Sequence, residues 1–140
     1  MNREIKFRGK DKDIGWVEGQ VAYDLNEDTY IIREVEQDSS YGLEETMLFA
    51  TMWYRVDKET IGQCTGLHDK NGKEIYEGDI LKSIQWNDIY LVKQIGTAYY
   101  LCRKGKNGFN KITTWNNAEK SEVIGNIYDN PELLGGENGI

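Results

Sequence analysis

Four groups of residues have types and spacings that could carry chemistry. Asp69, Asn71, Glu74 and Glu77 crowd oxygen ligands around Gly72, as a calcium loop does. An EF-hand loop, however, puts its glycine sixth and a bidentate glutamate twelfth between two helices, whereas here the glycine is fourth and both flanks read as extended. A turn in which Asp69 binds its own backbone is the better reading. Cys64 and His68 lie four apart and suggest a thiol–imidazole pair or a zinc site. Zinc would need four ligands from Cys64, His68, Cys102 and a carboxylate, and neither cysteine belongs to a CxxC knuckle. Cys64 reads instead as a core residue and His68 as an exposed turn residue. Glu77 and Asp79 could form an acid–base pair if a turn at Gly78 brought them together, but carboxylates beside a turn more often bond backbone amides or water. Finally, Lys82, Lys93, Arg103, Lys104, Lys106 and Lys111 face only Asp88 between positions 82 and 111, a window of net charge +5 interleaved with Trp86, Tyr90, Tyr99, Tyr100, Phe109 and Trp115. Lysines for phosphates and aromatics for bases are the means by which open β-barrels hold single strands, although the same aromatics could fill a core. If the strand is extended, Tyr99 and Tyr100 point to opposite faces, so one of them lies at a surface or interface. No catalytic residue, metal ligand or cofactor is assigned from these groups.

The elements that must position them are strands. The chain has 140 residues, 15 Gly and 1 Pro, a balance that suits short strands joined by tight turns. Its 39% hydrophobic content, with 4 Trp, 9 Tyr and 3 Phe, is enough for a core. Arg3 to Lys10 alternates, with Ile5 and Phe7 on one face and Glu4, Lys6, Arg8 and Lys10 on the other. After a turn at Asp11–Gly15 a second strand, Trp16 to Tyr23, pairs back and brings the basic face near Glu18. Thr29 to Val35 is a third strand. Gln37 to Gly42 reads as a mobile loop, and Leu43 to Ala50 suits a short helix or a strand equally. Trp53 to Val56 is extended, and Asp57 to Thr60 suits one helical turn capped by Asp57.

Asp69-Lys70-Asn71-Gly72 is a hairpin signal, because Asn and Gly both tolerate positive φ. Further β-like runs follow at Ile80–Trp86, Tyr90–Ile95, Ala98–Arg103, Phe109–Trp115 and Val123–Tyr128, with a helical turn possible between Asn116 and Glu122. Asn130-Pro131-Glu132-Leu133-Leu134 has the sequence of a capped helical turn. The expected fold is mainly β, with two small β subdomains at 1–60 and 61–134 and a flexible tail at 135–140. The second subdomain is expected to be a partly open SH3-like or OB-like barrel.

Three stretches together resemble the YopX family of phage and prophage proteins. They are Arg3-Glu4-Ile5-Lys6-Phe7-Arg8-Gly9 with Gly15-Trp16-Val17-Glu18-Gly19; Ile61-Gly62-Gln63-Cys64-Thr65-Gly66-Leu67 with Asp69 to Ile80; and Val123-Ile124-Gly125-Asn126-Ile127-Tyr128-Asp129-Asn130-Pro131-Glu132-Leu133-Leu134. One departure is Cys64, where similar proteins would carry an aromatic such as Tyr. The resemblance implies a mainly β fold, a phage or prophage origin and a bacterial cytoplasm. It implies no reaction, since the family has no assigned activity.

Charge and composition bound the rest. The net charge of −7 argues against a whole-surface nucleic-acid binder, and the first 70 residues hold 9 basic against 15 acidic residues. No apolar run approaches the roughly 20 residues of a membrane span, and the charged opening MNREIKFRGK does not read as a signal peptide. The two cysteines are therefore expected to be reduced and buried. The leading expectation is a non-enzymatic cytoplasmic protein that self-associates or binds a host protein through strand edges and aromatics, with no cofactor and no membrane. The alternative is single-stranded nucleic-acid binding through Lys82, Lys93, Arg103, Lys104, Lys106, Lys111, Tyr99 and Tyr100.

Overall fold

The structure, a computed structural model, describes residues 5–38, 47–84, 88–105, 108–113 and 115–135, of which 38, 47, 104, 105, 108–113 and 115–117 are described for the backbone alone. The chain is mainly β, with antiparallel ladders and short 3-10 turns. It divides into two compact units, Ile5–Gln63 and the chain from Cys64 onward.

The first unit holds β1 (Phe7–Asp11), β2 (Gly15–Tyr23), β3 (Thr29–Asp38), β4 (Met47–Arg55) and most of β5 (Asp57–His68), in the sheet order β4-β3-β2-β1-β5. Met47–Ala50 is thus strand, which settles that half of the helix-or-strand ambiguity; residues 43–46 lie outside the described residues. The expected loop at Gln37–Gly42 is corrected at its start, where β3 continues to Asp38, and its remainder also lies outside them.

Inward residues Val17, Ile31 and Val56 form the core, with Phe7, Val21, Tyr54 and Ile61 packed against it. Burying each such side chain contributes about 1.5–3 kcal/mol. The expected alternation in β1 holds from Phe7 on: Arg8 pairs with Glu18 and Lys10 with Trp16, and Lys6 Nζ lies 3.8 Å from Glu18 Oε1. Two details differ. Ile5 precedes the strand and is exposed, and Arg8 is buried because its guanidinium lies 4.7 Å over the Trp16 ring. The helical turn expected at Asp57–Thr60 is instead the start of β5. Asp57 Oδ1 accepts from Glu59 N (3.0 Å), and Thr60 Oγ1 donates to Asp57 O (2.6 Å) and accepts from Lys10 N (2.9 Å). These bonds absorb the register shift between Arg8 and Lys10, so the capping chemistry serves a bulge.

In the second unit the end of β5 pairs with β6 (Glu74–Tyr76), with Cys64 opposite Tyr76 and His68 opposite Glu74. Then β7 (Asp79–Ser83), β8 (Ile89–Ile95), β9 (Ala98–Gly105), β10 (Gly108–Thr113) and β11 (Ser121–Asn126) form a sheet in the order β10-β9-β8-β7-β11. Among the described residues no ladder joins β10 to β11, so the sheet is open. Its core is Ile75, Leu81, Tyr90, Val92, Leu101 and Ala118, with Leu67 and Val123 against them. Ala118 comes from a 3-10 helix, Trp115–Lys120, where a helical turn was expected. The strand expected to reach Trp86 ends at Ser83, and Trp86 itself lies outside the described residues, as does the tail from 136.

Candidate interaction surface

The sequence's candidate chemical groups are held as structure. In the central hairpin Asp69 N donates to Lys73 O (2.8 Å) and Gly72 N to Asp69 O (3.0 Å). Gly72 alone of the Asn–Gly pair takes positive φ (+83°), so the turn is closed by one left-handed glycine, not by two residues. Asp69 is buried. Its Oδ1 accepts from Asn71 N (2.8 Å) and Lys73 N (2.9 Å), and its Oδ2 from Val123 N (3.0 Å). Burial pushes this carboxyl up, but the amides of Val123, Lys73 and Asn71, helped by the Lys73 charge, outweigh it and hold the pKa below the usual carboxylate value.

Glu77 and Asp79 serve different amides: Glu77 Oε2 accepts from Gln94 N (3.4 Å), and the buried Asp79 accepts through Oδ2 from Tyr76 N (2.8 Å). Gly78 between them donates to Val92 O and accepts from Ile127 N, both 2.9 Å. Cys64 and Cys102 are buried thiols without a disulfide, and the Cys64 thiol meets Glu74 Oε2 at 3.7 Å while His68 is exposed. No cluster of three His, Cys, Asp or Glu side chains suited to a metal occurs among the described residues.

The closing motif is scaffold of the same kind. Asn126 Oδ1 accepts from Tyr128 N (3.0 Å) and Asp129 N (2.9 Å), and Asn130 Oδ1 turns back to accept from Asn126 N (3.2 Å). Asn130 therefore precedes the 3-10 helix Pro131–Leu134 without capping it through its side chain, which corrects the capped-turn expectation. A Cβ at Gly125 would lie 2.5 Å from Asn130 Oδ1, so the motif needs glycine there.

Of the basic window, Lys82 and Lys93 stand on one face of the sheet and Arg103 on the other. Lys82 is exposed on β7, opposite Ile89 and Glu122, and Lys93 on β8 pairs with Tyr100 on β9. Ladder alternation puts Tyr99 and Arg103 on the other face from Tyr100. Arg103 is bound to Asp88 Oδ2 (2.8 Å) and stands 5.8 Å over the Tyr90 ring. Between Lys82 and Lys93, their face is filled by Ile80, Leu91 and Cys102, all buried. By register Lys104 is opposite Phe109 and Lys111 opposite Cys102; the side chains of Lys104 and Lys111, and all of Lys106, lie outside the described residues.

The first unit holds a cleft of about 970 Å³ between Lys10, Asp11, Asp28, Arg55, Asp57 and Thr60. Three of its acids are engaged: Asp28 Oδ1 binds Arg55 (2.8 Å), Asp11 Oδ1 accepts from Asp13 N (2.7 Å), and Asp57 supports the bulge. More distinctive is the β3–β4 hairpin. Five of the twelve exposed large apolar side chains among the described residues lie on it: Val35 (55% exposed), Leu48 (65%), Phe49, Met52 and Trp53 (54%). Trp53 stands opposite Ile32, Ala50 opposite Val35, and a hollow of about 270 Å³ opens among Ala22, Tyr30, Ile32, Ala50 and Trp53. At its rim Tyr30 Oη donates to Asp24 Oδ2 (3.0 Å), a bond that raises the tyrosine's pKa. Sequence reasoning missed this surface. Met47 to Tyr54 carries no charge, which does not by itself tell a central strand from a bordering one, and it forms the border of the sheet.

The chain matches the family model described as YopX protein over residues 6–135. Among solved structures it is similar to the crystal structure of protein EF1440 from Enterococcus faecalis, at 24% identity over 95% of this chain and 99% of that one, with a TM-score of 0.61, a likeness of fold. No curated protein matches it. Among the described residues no helix is long and apolar enough to cross a membrane.

Proposed function

Because the chain belongs to the YopX protein family, whose resemblance carries a fold and a phage or prophage setting but no reaction, we propose that it is a non-enzymatic interaction protein that docks partners on the β3–β4 hairpin in the bacterial cytoplasm. One observation carries this reading. Val35, Leu48, Phe49, Met52 and Trp53 are exposed together on a bordering strand pair, where a soluble surface would place charges. Exposed aromatics beside a hollow lined by two alanines suit an interface anchor and its pocket. The unpaired border of β4 can accept a further strand through backbone hydrogen bonds.

The test is a photo-crosslinking residue placed at Leu48 or Trp53, with Lys12 as the control position, activated in cells producing the protein. Covalent adducts at 48 and 53 but not at 12 are expected. Adducts absent from both hairpin positions would overturn the reading. Salt-sensitive binding of a single-stranded oligonucleotide, weakened by Lys82→Glu with Lys93→Glu, would move the function to the second unit's sheet instead.

A further inference from the structure

Resting on that reading, we infer that the hairpin's partner is a second copy of this chain, and that β4 of one copy pairs edge to edge with β10 of the next. Two borders are involved. β4 closes one side of the first unit's sheet and β10 one side of the second unit's, and among the described residues neither has a ladder on its outer edge. Both offer an uninterrupted run of the same length: register shifts set off Met47–Ala50 within β4, opposite Val35 to Asp38, and Gly108–Lys111 within β10.

Charge selects the combination. Residues 5 to 63 hold 7 basic and 13 acidic residues, net −6, with Glu34, Glu36 and Asp38 on the strand beside Met47–Ala50. The window Lys82 to Lys111 is net +5, and β10 lies at its end. Pairing β4 with β4 would oppose two units of −6, and pairing β10 with β10 would oppose two windows of +5. The unlike edges attract, and electrostatic complementarity of this sort sets specificity and register. The contact is heterologous, so each copy keeps one edge of each sign open and copies add until a ring closes. The cationic residues that suggested a nucleic-acid site thereby acquire a polypeptide counterpart within the same sequence.

Analytical ultracentrifugation of the intact chain over a concentration series tests this. The expected result is a weight-average mass rising with concentration in about 50 mM salt and falling at least about twofold in about 500 mM, where screening shortens to a few ångströms. Glu36→Lys and Lys111→Glu are each expected to weaken association at least about tenfold with unchanged circular dichroism, and their equimolar mixture to restore it, because the unmutated edges meet and the two reversed edges again carry opposite charge. A monomer at all concentrations, association indifferent to salt, or a mixture no better than either variant alone would overturn the inference. The crosslinking above keeps the two readings apart: an adduct at position 48 joining two copies supports both, an adduct with a different protein leaves the hairpin reading and ends this one, and no adduct ends both.

Discussion

Asp69 shows how one side chain can look chemical and act structurally. Its two oxygens take three backbone amides, two from its own turn and one from Val123 on β11. In Asp69→Asn one oxygen becomes an amide donor, and either Val123 N or the turn amides lose their acceptor. The expected cost is about 1–3 kcal/mol, read from urea denaturation. The pH dependence has a definite sign. A carboxyl whose folded pKa lies below the ordinary 3.8 contributes stability that is fully present above that value and lost as pH falls through the folded pKa. The stability gap between the native chain and Asp69→Asn should therefore be constant from neutral pH to above about 4 and narrow below it. A gap that widened on acidification would contradict this account.

At the scale of elements, β5 carries the clearest consequence of local chemistry in an unexpected setting. Asp57 and Thr60 have the spacing of a helix start, and the hydrogen bonds they make are those of a cap, but neighbouring β1 supplies a ladder that a helical turn could not satisfy. Thr60→Val keeps the shape and removes the hydroxyl that Lys10 N donates to. It should destabilise the chain by about 1–2 kcal/mol in denaturant titration and speed amide exchange at Lys10 and its β1 neighbours. The exposure of β4 was not legible in the sequence for a related reason. Periodicity reports that a stretch is apolar and extended, but whether it is central or bordering depends on which strands pair, and among the described residues β4 pairs with β3 alone.

For the molecule as a whole, the two units have separate cores, one around Ile31 and the other around Leu101. Truncating a buried side chain removes transfer energy and leaves a cavity, at about 2–5 kcal/mol for Ile→Ala or Leu→Ala. Ile31→Ala should accelerate hydrogen exchange most at Val17, Val21 and Tyr54, and Leu101→Ala most at Leu81, Tyr90 and Val92. Equal acceleration across both sets after either substitution would mean a single cooperative core.

The sequence by itself determined the mainly β fold, the family, most strand positions and the scaffold character of the central and closing motifs. It could do so because alternation, glycine placement and Asx turns act over a few neighbouring residues. Tertiary structure decided the rest: that Arg103 binds Asp88 and stands over the Tyr90 ring, that Arg8 is buried against Trp16, and that the apolar run Leu48–Trp53 of β4 faces solvent. Exposure and facing are properties of pairings between residues far apart in the chain, and a local pattern of side chains carries no record of which strand will lie beside it.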